Sequence, residues 1–261
     1  MPMLPNDAPI LLYLWDKRTF YLGPLEEPLQ LSQAASMLVL SLDGPLRIRR
    51  QGDEVTCRSA LLPAGLALSV DTGLSRVAVC YLDVFGEDFA LLAPRMSGEA
   101  IGMRFGLDEE AACAQQFDTL HRGSAAPEQV YAWLERLINP RQQVPAGFAP
   151  DPRIVRVVSL IKGDVACNHS IDYLAEQIAL SVPRLTQLFR QKIGIPIRRY
   201  RQWHRLFVST TSVARGLSLT EAAVAAGFSD SAHFCHTFRS IIGMKPSTVL
   251  TQPQRIRLFA G

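Results

Sequence analysis

Two periods of hydrophobic placement divide this chain. In the first third, short apolar runs sit between turn residues: ILLYL at 10–14, MLVLSL at 37–42, LRIRR at 46–50, EVTCR at 54–58, LALSV at 66–70 and RVAVCYLDV at 76–84. Asp-Gly, Gln-Gly-Asp, Pro-Ala-Gly and Asp-Thr-Gly breaks separate them. LRIRR and EVTCR alternate on either side of QGD, the pattern of a hairpin. Short strands at this spacing predict an antiparallel sandwich or barrel over roughly 10–90.

The period then lengthens. Residues 108–121 open on acidic DEE and continue as AACAQQFDTLH, a helix with favourable charge at its N-terminus. In PEQVYAWLERLI, 127–138, Pro starts the segment and Val130, Trp133, Leu134 and Leu137 recur at steps of three and four. The stretch NPRQQVPAGFAPDP, 139–152, carries four prolines and no period, as a linker does. Everything beyond reads helical. Ile154, Val157, Val158 and Ile161 form one apolar stripe, and Ile171, Leu174, Ala175 and Ile178 a second. Leu185, Leu188 and Phe189 lie on a third helix ended by Gly194 and Pro196. A long helix over 197–214 follows, then shorter ones near 219–226 and 231–242, stopped by Gly243 and Pro246.

The chain is therefore expected to be α+β. An N-terminal unit, 1–138, holds the strands and two trailing helices. A linker, 139–152, leads to an all-α unit, 153–261. Hydrophobic content of 48% with 20% charged residues suits a soluble globular chain. Charge sharpens the division. Residues 1–150 hold 12 Lys+Arg against 18 Asp+Glu, or −6, and 151–261 hold 15 against 6, or +9, which sum to the chain's +3. A basic half beside an acidic one points to a polyanion-binding unit, although a merely solvated basic face fits charge alone equally well.

Other classes recede. The five cysteines, 57, 80, 113, 167 and 235, are scattered, odd in number and without a CxxC pair, so neither a disulfide framework nor a zinc cage is expected. MPMLPNDAPILLYLWDKRTF lacks a basic region ahead of its apolar run and does not read as a signal peptide. No run approaches 18 apolar residues, so no membrane span is expected and a reducing cytoplasmic setting is the simplest one.

The last hundred residues contain an internal echo. LAEQIALSVPRLTQLFRQKIG, 174–194, is followed by AAVAAGFSDSAHFCHTFRSIIG, 222–243. In each, Ala precedes Ser by six, as Ala175 to Ser181 and Ala223 to Ser229. Leu185, Phe189, Arg190 and Gly194 then match Phe234, Phe238, Arg239 and Gly243 at a constant offset of 49. A helix, tight turn and second helix repeated at fixed offset is the shape of a helix-turn-helix used twice. Gly227 suits the left-handed turn, and Ser181 and Asp230 suit N-caps.

On these residues the chain over 150–250 resembles the DNA-binding domain of the AraC/XylS family of bacterial transcription regulators. The pattern A-x-x-x-G-F-S-D-x-x-x-F-x-x-x-F-R-x-x-x-G-x-x-P is met by Ala223 through Pro246, and the first copy, with Tyr200 and Arg205 on the connecting helix, fits as well. The resemblance covers about two-fifths of the chain. It implies two recognition helices, about 183–193 and 231–242, held by the 197–214 helix so that one chain reads two successive major grooves of promoter DNA. It implies a transcription regulator, by family habit an activator, that works with RNA polymerase. The N-terminal unit is similar to the cupin-like sensor domain of many members, whose trailing helices, here 108–138, dimerise.

Inward-facing Leu185, Leu188 and Phe189 leave Pro183, Arg184, Thr186, Gln187 and Arg190 outward. Phe234 and Phe238 leave Ser231, Ala232, Cys235, His236 and Arg239 outward. Base reading is assigned to Thr186, Gln187, Ser231, Ala232, Cys235 and His236, because Gln pairs bidentately with adenine and Thr meets thymine methyls or phosphate. Arg184, Arg190, Lys192, Arg198, Arg239 and Lys245 are assigned to phosphates. Arg190 and Arg239 have a plainer role open to them as cations at helix C-termini. The family often carries Arg where this chain has Gln187 and His236, which implies a different operator, and Pro196 falls one residue early.

His233, Cys235 and His236 look like metal ligands, but Cys235 points elsewhere and no fourth ligand is near. No His precedes His121, which tells against a metal-dependent cupin enzyme, and no G-x-S-x-G, P-loop or dinucleotide fingerprint is present. The chain is thus expected to be no enzyme and to need no cofactor or metal. Its effector is either a small molecule inside the N-terminal unit or a partner protein. Trp15, Phe20, Tyr21, Met37 and Tyr81 would line such a pocket, though aromatics in strands are more often plain core.

Overall fold

The N-terminal strands differ in whether one or both of their faces are covered, and the covering layers explain why. The computed structural model describes residues 9–25, 27–32, 34–123, 125–165, 168–250 and 255–260. Cys167 and residues 1–8, the start of the stretch that does not read as a signal peptide, lie outside them. Nine strands come first: β1 (Ile10–Leu14), β2 (Thr19–Pro24), β3 (Leu29–Ser32), β4 (Met37–Ser41), β5 (Leu46–Arg50), β6 (Asp53–Cys57), β7 (Ser59–Leu62), β8 (Ala67–Asp71) and β9 (Arg76–Tyr81). Helix α1 (Glu87–Leu92), strands β10 (Met96–Ala100) and β11 (Met103–Leu107), and helices α2 (Glu110–Gly123) and α3 (Pro127–Ile138) follow.

With a last strand near the C-terminus, β12 (Ile256–Ala260), the strands form an eight-stranded sheet, β10-β11-β7-β4-β9-β2-β1-β12, and a four-stranded one, β3-β8-β5-β6. β1 and β4 are apolar along their length because the large sheet is buried on both faces. Ile10, Leu12, Met37, Val39, Val77 and Val79 meet Leu29, Leu46, Ile48 and Val70 of the small sheet. The alternate positions, Leu11, Tyr13, Phe20, Leu38, Leu40 and Cys80, meet Phe117 of α2 and Val130 and Leu134 of α3. β5 alternates because its second face is open, so that Arg47 and Arg49 reach Asp71 and Glu54 on neighbouring strands.

Strands extend to Leu107, beyond the expected limit near residue 90. The β10–β11 hairpin was hidden by Gly98, Gly102 and Gly106. Gly98 is there because the Phe105 ring lies across it, and a Cβ would sit 2.4 Å from that ring. RVAVCYLDV stops as a strand at Tyr81 because the Asp83 carboxylate accepts from the amides of Phe85 (2.9 Å) and Asp88 (2.6 Å) and turns the chain into α1.

Helices α4 (Pro152–Gly163), α5 (Ile171–Glu176), α6 (Val182–Ile193), α7 (Ile197–Ala214), α8 (Leu219–Ala225), α9 (Ser231–Ile242) and α10 (Pro246–Leu250) complete the helical part. The chain past residue 152 is not wholly helical. Strand β12 (Ile256–Ala260) returns to the large sheet and pairs parallel with β1, Ile10 opposite Ile256 and Leu14 opposite Ala260. The Phe259 ring stacks on Tyr13 with centroids 4.6 Å apart.

Further contacts tie the two parts together. α9 packs against β3. Lys162 at the end of α4 bonds Asp16 in the β1–β2 turn at 2.7 Å, and the Tyr81 ring lies 4.9 Å from Trp203 of α7.

Candidate nucleic-acid interface

Each half of the repeat is built by local capping. Ser170 accepts from the Tyr173 amide (3.0 Å) and starts α5. Ser181 stands extended before α6 with Pro183 in the first turn, and Gly194 closes α6 at φ 85°. In the second half, Ser218 and Glu221 form a reciprocal capping box on α8, and the Ser218 hydroxyl holds the Glu221 carboxyl below its ordinary range. Asp230 accepts from the His233 amide (2.7 Å) to start α9, and Gly243 closes it at φ 81°.

The two turns share their backbone as well. Gly227, at φ 82°, lies between α8 and α9, and Ala179, at φ 52°, lies between α5 and α6.

Burial repeats at the same offset. Leu185 and Phe234 are fully buried, as are Phe189 and Phe238 within a few per cent. The remaining faces are open. Arg184, Thr186, Gln187, Arg190 and Lys192 are exposed on α6, as is Arg198 at the start of α7. On α9, Ala232, His236 and Arg239 are exposed and Ser231 and Cys235 half-buried. Within these faces the Arg184 guanidinium donates to Gln187 Oε1 (2.8 Å), and the Thr186 hydroxyl donates to the Val182 carbonyl (2.9 Å). Gln187 is thereby held at the surface by a neighbour that also carries positive charge.

α7 joins the halves. Eighteen residues of helix span about 27 Å. Tyr200 lies 5.8 Å from Phe189 of α6, and Arg199 donates to Ser240 Oγ (3.4 Å) and to its carbonyl (3.2 Å) on α9. Arg201 fastens the same helix to Asn168 Oδ1 at 3.1 Å. Ser209 and Thr210 are buried in its middle and donate to carbonyls one turn back. The spacer is therefore braced against both halves.

Some assigned residues stand differently from expectation. Lys245 pairs with Glu27 of the N-terminal part at 3.1 Å. Lys192 borders a cleft between the two parts of the chain. His233 turns its Nδ1 to the Ser229 hydroxyl (3.2 Å) and its ring edge to Phe228. Among the described residues no group of three or more His, Cys, Asp or Glu side chains is placed to hold a metal ion.

The five residues expected to line a ligand pocket do not come together: Phe20 is fully buried on the other face of the large sheet, its ring 5.3 Å from Phe117 of α2. Tyr21 and Met37 are core residues 2% and 0% exposed between the sheets, and the Tyr21 hydroxyl donates to the Pro24 carbonyl (2.5 Å). Trp15 and Tyr81 instead border the cleft that faces α7. That cleft escaped sequence reasoning because it exists only where two distant segments meet.

A helix-turn-helix domain family matches residues 174–252. Over 103 residues the chain is 30% identical to the arabinose operon regulatory protein of Salmonella typhimurium, covering 37% of this chain and 35% of that protein. The match thus spans about a third of that relative's length. Solved structures of ToxT from Vibrio cholerae are similar over nearly the whole fold. An apo variant gives a TM-score of 0.58 at 13% identity, covering 90% of this chain and 97% of that one. The wild-type protein bound to an unsaturated fatty acid gives 0.57 at 12%, covering 90% and 95%. At that identity the likeness is one of fold: a β-rich N-terminal part followed by a helical one.

Proposed function

We propose that the chain, whose residues 174–252 match a helix-turn-helix domain and which is 30% identical over 103 residues to an arabinose operon regulatory protein, is a regulator of the AraC/XylS family: a sequence-specific DNA-binding protein whose α6 and α9 enter successive major grooves. The observation that carries this is the matched pair of open helix faces, each rich in hydrogen-bonding or cationic side chains and each fixed to the same spacer. An α-helix fits the major groove, and grooves recur about 34 Å along the duplex, a span that a braced 27 Å spacer (about 18 residues) serves. Thr186, Gln187, Ser231, Ala232, Cys235 and His236 read bases. Arg184, Arg190, Lys192, Arg198, Arg239 and Lys245 meet phosphates.

Regulation runs through the N-terminal part, residues 1–138, joined by the linker 139–152 to a reader that begins at 153 and whose chain returns to the N-terminal sheet as β12. That part touches the reader beside both recognition helices. The Ala64 carbonyl lies close to Gly194 at the end of α6, and Glu27 holds Lys245 just past α9. An effector that shifts this docking alters how freely the helices meet DNA. The ToxT form bound to a fatty acid, on the same fold, supports a small molecule as effector. A partner protein is the second reading, favoured by the filled space between the sheets around Tyr21 and Met37.

The chain activates with RNA polymerase, forms a homodimer through α2 and α3, and acts in the cytoplasm as a regulator rather than an enzyme. Among the described residues no helix is long and apolar enough to cross a membrane.

Gel-shift titration of the full chain on DNA from its own genomic neighbourhood tests the reading. Preference for one promoter fragment that weakens with salt is expected. Indifference to both sequence and salt contradicts it.

A further inference from the structure

The cleft between the two parts of the chain has a volume of about 580 Å³. The β1–β2 turn and the end of β9 form one wall, and the ends of α4 and α6 with the outer face of α7 form the other. Trp15, Phe85, Phe148, Trp203 and Phe207 give it an aromatic lining.

Most of its charge is already neutralised. Of the four cations on its walls, Arg18 forks onto Asp88 with both contacts at 2.6 Å, Lys162 bonds Asp16 at 2.7 Å, and Lys17 lies 3.2 Å from Glu87. Lys192 remains, at the exposed rim.

Two residues of this lining each carry a buried polar atom without a hydrogen-bond partner, the Tyr81 hydroxyl and His204 Nε2, and His204 also borders a small second pocket beside Ile161 and Arg205. The two residues are only 5% and 7% exposed. Burial pushes the Tyr81 phenol up, and burial followed by the nearby Lys162 charge brings His204 down to about 4, so both are uncharged at neutral pH. A buried polar group without a partner costs free energy that a ligand bearing the complementary group recovers.

Resting on the reading of the N-terminal part as effector-responsive, we propose that this cleft binds a neutral hydroxylated aromatic molecule, a phenol in chemical class. Its ring lies among the aromatic walls at Trp203, and its hydroxyl serves the Tyr81 and His204 atoms. A carboxylate is the poorer occupant, because the cations it would seek inside are held by Asp16, Glu87 and Asp88. Tyr81 ends β9 of the sheet and His204 belongs to the spacer α7, so one small molecule in this place fastens the sensing sheet to the helix that spaces the two readers.

Calorimetry on the full chain with 2-naphthol, naphthalene and 2-naphthoate tests the assignment. We expect 2-naphthol to bind at least about tenfold more tightly than naphthalene, since a site built around a hydroxyl rejects the analogue lacking it. We also expect 2-naphthoate to bind less tightly than the naphthol. Tyr81→Phe removes only an unpartnered hydroxyl and should keep the fold, as a melting curve verifies, while the naphthol-to-naphthalene preference falls severalfold and naphthalene binding stays unchanged. His204→Phe should lower the same preference. Equal binding of naphthol and naphthalene, tighter binding of naphthoate, binding of no probe, or a preference untouched by Tyr81→Phe overturns the proposal. A chain that shifts promoter DNA yet takes no naphthol refutes the cleft alone. One that takes naphthol with the expected preference but shifts no DNA supports the cleft and refutes the regulator.

Discussion

Ala179 and Gly227 hold the same left-handed position in two equivalent turns, at φ 52° and φ 82°, 48 residues apart. One is the residue that such a turn favours, and the other carries a Cβ that such a turn penalises. The repeat is thus conformationally matched where it is chemically unequal.

Opposite responses to substitution follow. Ala179→Gly relieves the strain and should stabilise the chain by about 0.5–1 kcal/mol, less the extra freedom Gly gains on unfolding. Gly227→Ala should destabilise it by about 1–2 kcal/mol. The added methyl would also press on the Val165 carbonyl at 3.3 Å and on Arg205 at 3.4 Å. Urea unfolding of both variants checks the signs, and a loss at Ala179→Gly would refute the strain.

Roles on the helices separate by specificity. Gln187→Ala and His236→Ala should each weaken binding to the preferred sequence by about 1–2 kcal/mol and narrow its margin over random DNA. Arg190→Ala should weaken both alike and lower the salt slope by about one. Fluorescence anisotropy against salt measures this. Equal losses on specific and random DNA for all three contradict the assignment.

His204 gives the chain an acid sensitivity. Burial is the main cause that takes it from its ordinary 6.5 down to about 4, so the unfolded chain binds more protons between those values. Stability therefore rises with pH there: the contribution of the neutral ring is complete above 6.5 and is lost as pH falls toward about 4. Urea midpoints across that window should decline on acidification, and His204→Gln should flatten the decline. An unchanged slope in the variant would locate the sensitivity elsewhere.

The tail is the next test of how the parts hold together. Phe259→Ala removes a half-buried ring stacked on Tyr13 and should cost about 2 kcal/mol, below the range for a fully buried Phe. Amide exchange at Leu11 to Tyr13 should quicken with it. Protection of β1 that stays intact would mean β12 adds little.

How legible this was depended on range. α3, α7 and α9 matched their patterns residue for residue, because Pro127, Asp230, Gly243 and the apolar stripes are local instructions. The second copy announced its turn through Gly227, whereas Ala179 carried no such mark, since Ala is ordinary in a helix. β1 and β5 were readable from apolar runs between turns. β7 (SALL) and β10 (MSGEA) were not, being short or interrupted by Gly and stabilised by neighbours far along the chain. β12 was invisible for the same reason, since its partner lies some 246 residues away (10 against 256). The open faces of α6 and α9 followed from periodicity. The pairing of Lys245 with Glu27 and the cleft at Tyr81 and His204 depend on how the two parts dock, which no local pattern encodes.

The most direct measurement is a hydroxyl-radical and methylation-interference footprint of the full chain on its preferred promoter. Two interference patches in the major groove on one face of the duplex, centred about one helical turn apart, are the predicted result. One should vanish with substitutions on α6 and the other with substitutions on α9. A single patch, or two that respond to the same helix, would contradict the claim that one chain reads two grooves.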